Sequence, residues 1–105
     1  MIFLLFLAAS VILKNDSPYT LNAELFDKDL KPVSKMTLPP NSYFKWNETY
    51  QNLTSYSEGP FAVLWTCLSG AEYGVNYKVA ASTTCNAQSA SGARRCQPTK
   101  EESGP

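Results

Sequence analysis

Three cysteines, Cys67, Cys85 and Cys96, are the side chains of this 105-residue sequence best equipped for chemistry. A thiol can serve as nucleophile, zinc ligand or disulfide partner, and the residues around it decide which. A cysteine nucleophile is normally activated by a histidine base, and the chain contains no histidine. Zinc sites favour paired Cys-x-x-Cys ligands, a spacing that is absent here. Carboxylates fare no better. Asp27-Lys28-Asp29 lacks the glycine and the distant glutamate of a calcium loop, and reads as a solvated hairpin tip. Glu24 with Glu48 or Glu72 would make a glycosidase-like pair only if the fold brought them together in a cleft. No catalytic, cofactor or metal residue is therefore assigned, and the chain is read as non-enzymatic. Disulfide formation is the chemistry left to the cysteines.

Disulfides belong to oxidising compartments, and the amino terminus points to one. Ile2 to Ala9 is an unbroken apolar run, too short to cross a bilayer but suited to a secretory leader, and Ala8-Ala9-Ser10 supplies small residues for cleavage after Ser10. No Lys or Arg precedes the run, so the Met1 amine alone supplies the usual positive end. The expected layout is a signal peptide over 1–10, a folded domain over 11–85 and a polar flexible tail over 86–105. The expected location is secreted or extracytoplasmic, in the periplasm or at the cell surface. Nine Lys+Arg balance nine Asp+Glu, which argues against a nucleic-acid binder, while 44% apolar residues suffice for one small core.

The elements that would position these groups are strands. Tyr19, Leu21, Ala23 and Leu25 alternate with polar residues, as do Tyr73, Val75, Tyr77 and Val79, the period of a half-buried strand. Phe61 to Cys67 is apolar at nearly every position and reads as a central strand covered on both sides. Short extended stretches at Val11–Lys14, Val33–Leu38, Tyr43–Trp46 and Ala81–Cys85 are separated by turn formers such as Asn15-Asp16-Ser17-Pro18 and Pro39-Pro40-Asn41. About seven short strands at this spacing predict an all-β fold, a small antiparallel β-sandwich, immunoglobulin-like or related. Trp46 and Trp65 are expected in the core, one from each sheet.

Three cysteines leave one unpaired. If 61–67, 73–79 and 81–85 formed one antiparallel meander, Cys67 and Cys85 would lie about 9.5 Å apart with a strand between them. A disulfide needs Cα atoms within about 7 Å. Cys67–Cys85, the first expectation, thus requires the third strand to cross to the facing sheet. Cys85–Cys96 is the second, since a flexible tail can fold back, and Cys67–Cys96 or no bridge remains. The leftover thiol would either cross-link to another molecule or be buried as a small hydrophobe.

Three Asn-x-Ser/Thr sequons begin at Asn15, Asn47 and Asn52 and are candidate glycosylation sites for a eukaryotic secretory route; in a bacterial protein they would carry no such meaning. Tyr43, Tyr50 and Tyr56 cluster along a strand and the long polar connection after it. Tyrosines give rigid contact area with a polar handle, so these are the candidate binding surface.

The stretch from Asn15 through Asp27, with Leu38-Pro39-Pro40, Trp46 and Phe61 to Cys67, resembles a group of small exported all-β proteins of chlamydia-like and other intracellular bacteria, of unknown function. The shared features are an N-x-S-x-Y-T-L strand opening after the leader and an L-x-P turn before a tryptophan, over about residues 11–67. Pro40-Asn41 departs from the Pro-Gly of that group. The resemblance implies export and a β-sandwich and no activity. Two functions remain: a secreted or surface-exposed domain binding a protein or glycan, or an envelope or extracellular-layer assembly protein cross-linked through the unpaired cysteine. The first allows a monomer and the second a disulfide-linked dimer, with neither nucleic acid nor a stable membrane span involved.

Overall fold

A computed structural model describes residues 10–47 and 59–96. They form seven strands: β1 (Ser10–Asn15), β2 (Leu21–Phe26), β3 (Pro32–Leu38), β4 (Ser42–Asn47), β5 (Phe61–Cys67), β6 (Glu72–Val79) and β7 (Thr83–Asn86), followed by one 3-10 turn at Ala87–Ser89. Two sheets result, a three-stranded one in the order β4-β1-β7 and a four-stranded one in the order β3-β2-β5-β6. The expected all-β sandwich is the fold observed. It departs from a purely antiparallel one in a single pair: β7 runs parallel to β1. The expected leader lies outside the described residues except for Ser10, which opens β1.

Alternation drives the packing. Leu21, Ala23 and Leu25 of β2 point inward, as do Val11 and Leu13 of β1 in the facing sheet, and all five are fully buried. Trp46 from β4 meets Phe61 from β5 edge-to-face across the gap, with centroids 5.6 Å apart and planes at 65°. Trp65 of β5 is fully buried, and its indole N–H donates to Asn76 Oδ1 at 2.6 Å. The two tryptophans are thus core residues of opposite sheets, as expected. β5 is central, between β2 and β6, but only its inner side is closed by another layer; Leu64 and Thr66 on its outer side stay half-exposed.

The β1–β2 connection crosses from one sheet to the other, and its turn chemistry explains Asn15-Asp16-Ser17. Asn15 is fully buried. Its amide donates to the carbonyls of Tyr19 at 2.7 Å and Leu38 at 2.8 Å, while its Oδ1 accepts from the Ser17 N–H at 3.0 Å and hydroxyl at 2.7 Å. One side chain therefore ties the corner to the end of β3. At the β2–β3 hairpin, Asp27 Oδ1 accepts from the Asp29 and Lys31 N–H groups, each at 2.9 Å, an Asx-type closure.

The ordered domain does not stop at Cys85, and the expected tail boundary at residue 86 is corrected. Ala87, Ala90 and Cys96 are buried in the core. Residues 91–95 lie along the outer edge of β6: Val75 and Ser91 exchange two backbone bonds of 2.9 Å, and the N–H groups of Arg94 and Arg95 donate to the carbonyls of Tyr73 and Glu72. Two glycines permit that approach. A Cβ on Gly92 would stand 2.5 Å from the Gly74 Cα, and one on Gly74 would stand 2.7 Å from the Ala90 Cβ. Arg94 lies over the Tyr73 ring at 4.5 Å and donates to the Ala90 carbonyl at 2.8 Å. A Ser/Gly/Ala-rich stretch reads as a tail, yet its small residues are what lets it seat closely against the sheet.

Removing the corner amide leaves buried carbonyls and an N–H without partners, each costing about 1–3 kcal/mol. Asn15→Ala is expected to lose about 3 kcal/mol, read as a lower urea midpoint at unchanged slope; a loss under about 0.5 kcal/mol would show that water replaces those bonds.

Candidate functional site

The disulfide joins Cys67 at the end of β5 to Cys96 at the end of the C-terminal segment, with Cα atoms 5.3 Å apart. Both favoured pairings, Cys67–Cys85 and Cys85–Cys96, are corrected. The geometric condition for Cys67–Cys85 is met, since β7 does leave the meander for the facing sheet. Its pairing with β1 nevertheless sets Cys85 opposite Leu13, whereas residues 91–95 run back along β6 and deliver Cys96 to Cys67. Cys85 is the free cysteine, 4% exposed. Burial pushes its thiol up to about 12 from 9.0, with the charge of Asp16 adding to the effect. A thiol so protonated and covered packs as a small hydrophobe.

Tyr43 is the one member of the expected aromatic surface that falls among the described residues; Tyr50 and Tyr56 lie outside them. It sits on edge strand β4, 67% exposed, directly across from Lys14 of β1. Lys45, two residues on, shares its outward face beside Ile12. Among the described strand residues the outer face of this sheet carries two lysines and no carboxylate. Phe44 points the other way, toward the rim of the core, and is 41% exposed. The three sequons part company. Asn15 is buried with its amide fully engaged, so it is corrected from candidate acceptor to structural corner. Asn47 is exposed at the end of β4, and Asn52 lies outside the described residues.

Polar groups elsewhere on the two sheets stay apart. Ser42 and Lys45 have the Ser-x-x-Lys spacing that would join them on a helix, but on strand β4 they point to opposite faces. Ser42 Oγ donates instead to the Pro39 carbonyl at 2.7 Å. Glu24 faces Lys35 across the β2–β3 pair and lines a groove with Asn22, Leu64 and Thr66, a groove that does not include Glu72.

Alternation of polar and apolar residues did not reveal an opening of about 350 Å³ between β6 and β7, where the two sheets part. Asn76, Val79, Thr83, Thr84, Cys85 and Asn86 are among its walls. Lys78, with φ 57°, sits in a bulge where β6 carries one residue more than β5, at the rim beside Tyr77. Asn86 Oδ1 is itself covered by protein and has no hydrogen-bond partner. Each wall comes from a different sheet, so an opening of this kind depends on topology, which periodicity alone does not supply. No family model matches the chain, and no curated protein matches it in sequence.

The state of Cys85 is measurable. With its thiol at about 12, only about one molecule in 10⁴ carries a thiolate at pH 8. Iodoacetamide is expected to label native protein at least a hundredfold more slowly than protein in urea, without dimers on a non-reducing gel. Because the folded pKa lies above the unfolded one, the native state keeps a proton the unfolded chain releases; stability falls as pH rises from about 9 toward 12. Cys85→Ala should flatten that fall, and equal labelling rates in native and unfolded protein would refute the burial.

Proposed function

We propose that this chain is a small exported, non-enzymatic binding domain that takes a protein or glycan ligand on the outer face of its three-stranded sheet, around Tyr43. The observation that carries the reading is Tyr43 itself, two-thirds exposed on an edge strand between Lys14 and Lys45. A rigid aromatic ring flanked by two cations, on a face with no carboxylate among its described strand residues, suits a ligand that offers an apolar patch beside negative charge. An internal disulfide supports an extracytoplasmic setting, whether periplasm, cell surface or medium; no helix among the described residues is long and apolar enough to cross a membrane. The resemblance to small exported bacterial β proteins agrees with that setting.

Cross-linking through the unpaired cysteine, as an assembly protein would need, draws no support from the geometry. Cys85 is buried between the sheets with its thiol held protonated. An intermolecular bridge would have to open the domain first.

The test is direct binding of the disulfide-intact domain to a glycan array and to a panel of immobilised extracellular proteins. For a ligand so found, Tyr43→Ala and Lys45→Glu are each expected to weaken binding at least tenfold, about 1.4 kcal/mol, with an unchanged urea midpoint. Unchanged affinity in both variants would remove this face from recognition.

A further inference from the structure

We propose that residues 91–96 are a redox-released strap: reduction of the Cys67–Cys96 disulfide by a dithiol frees them from β6 and uncovers its strand edge, while the two-sheet core stays folded. The strap lies along the four-stranded sheet, away from the Tyr43 face.

The first argument is how unevenly the strap is held. Its root is anchored in the body of the domain. Ala87 and Ala90 are buried, the Gln88 N–H donates to Asp16 Oδ1 at 2.7 Å, and Gln88 Oε1 accepts from the Tyr73 hydroxyl. Its end is anchored by the disulfide at the buried Cys96. Between these two points no side chain is buried: Ser91, Gly92, Ala93 and Arg95 are exposed and Arg94 is half-buried. Backbone hydrogen bonds and Arg94 hold this stretch. Each such bond replaces one to water and returns little, whereas every residue held in place gives up backbone freedom. The covalent bond is therefore what keeps the stretch seated.

The second argument is backbone strain. Arg94 has a φ of 53°, in the left-handed region that residues with a side chain avoid. Such a conformation persists only where its surroundings impose it. Here they are the N–H bond to the Tyr73 carbonyl, the guanidinium bonds to the carbonyls of Gln88 and Ala90, and the disulfide two residues on. Opening the disulfide removes the covalent part of that constraint, and release of the strap relieves the strain.

The third argument is what the strap covers. Both the N–H and the carbonyl of Val75 are bonded to Ser91, and the carbonyls of Glu72 and Tyr73 accept from Arg95 and Arg94. On release these groups of one strand edge lose their partners together, and such an edge is open to pairing with another strand. The core does not share that dependence. β2 and β5 pair with each other and contribute Leu21, Ala23, Leu25, Val63 and Trp65, all fully buried. Release of the strap is thus separable from unfolding.

The redox step is thiol–disulfide exchange. A thiolate of the dithiol attacks the Cys67–Cys96 bond, forms a mixed disulfide with one cysteine and expels the other, which takes up a proton. The second thiol of the reductant then attacks the mixed disulfide and expels the remaining cysteine. Two electrons and two protons pass to Cys67 and Cys96, and the dithiol leaves as a disulfide. Both cysteines are buried, so attack occurs as residues 91–95 fray from β6.

Amide exchange is compared in the oxidised protein, in the same protein reduced with dithiothreitol, and in Cys96→Ser, which cannot form the bond. In both reduced forms the amides of Val75, Ser91, Arg94 and Arg95 are expected to exchange at least a hundredfold faster than in the oxidised protein. Those of β2 and β5 are expected to remain at least a hundredfold slower than in an unstructured peptide. Trypsin gives a second readout: cleavage after Arg94 or Arg95, followed by mass, should be at least tenfold faster after reduction and slow again on reoxidation. The dithiothreitol arm uses the unaltered chain, so the result stands even if Cys96→Ser folds poorly. The proposal is overturned if the strap amides keep their protection in the reduced protein, because non-covalent contacts then hold the strap. It is equally overturned if β5 loses protection along with them, which would make the bond a staple of the whole domain, or if dithiothreitol leaves the bond intact in the folded protein.

Discussion

The domain rests on the seating of residues 86–96 against β6. A small β-sandwich has two structural problems, a core near the lower limit of size and exposed sheet edges. The C-terminal segment answers both. Its backbone covers half of the β6 edge, and its Ala87 and Ala90 enter the core. The Cys67–Cys96 bond fastens the end, closing a separation of 29 residues. In the chain-entropy description such a loop contributes about 3.5 kcal/mol by restricting the unfolded state. The contacts are mutually dependent: Arg94 reaches its place over Tyr73 because Gly74 and Gly92 let the backbones approach, and the Tyr73 hydroxyl donates to Gln88 Oε1 at 3.1 Å. Burial pushes the Tyr73 phenol above its ordinary value of 10.0, with the nearby Arg94 guanidinium pulling in the opposite direction.

The same seating shapes the surfaces open to ligands. The segment begins where β7 ends, so its grip on β6 brings β7 across to the facing sheet. It leaves β6 at Val75, and the stretch beyond remains as one wall of the inter-sheet opening. Cys85, displaced from any disulfide by the Cys67–Cys96 pair, becomes part of that opening's interior. On the far side of the three-stranded sheet, β4 presents Tyr43 and Lys45 free of these constraints.

Much of the fold was legible in the residues. Period-2 patterns at Leu21–Leu25 and Tyr73–Val79, and the turn formers at Asn15–Pro18 and Pro39–Asn41, set the strands where they stand. Local pattern reports which face is wet and where the chain turns; it does not report which strands pair. Hence it leaves open whether β7 continues a meander or crosses to the facing sheet beside β1, and it does not show that residues 91–95 return along β6 to bring Cys96, rather than Cys85, to Cys67. Asn15-Asp16-Ser17 matched a glycosylation motif because a buried corner uses the same residue types for hydrogen bonds. The stretch after Asn86 looked like a tail because its contribution to stability is close backbone approach, which favours small residues over apolar ones. Of the candidate binding surface only Tyr43 could be placed, and the β6–β7 opening arises between sheets, where no single segment records it.

Native-state hydrogen exchange of the oxidised protein measures the seating of the C-terminal segment most directly. If residues 91–95 are part of the cooperative unit, the amides of Val75, Ser91, Arg94 and Arg95 open with free energies within about 1 kcal/mol of those in β5, and Gly92→Ala lowers all four together. Exchange of Ser91, Arg94 and Arg95 at the rate of an unstructured peptide, while β5 stays protected, would contradict it and return the segment to a tethered tail.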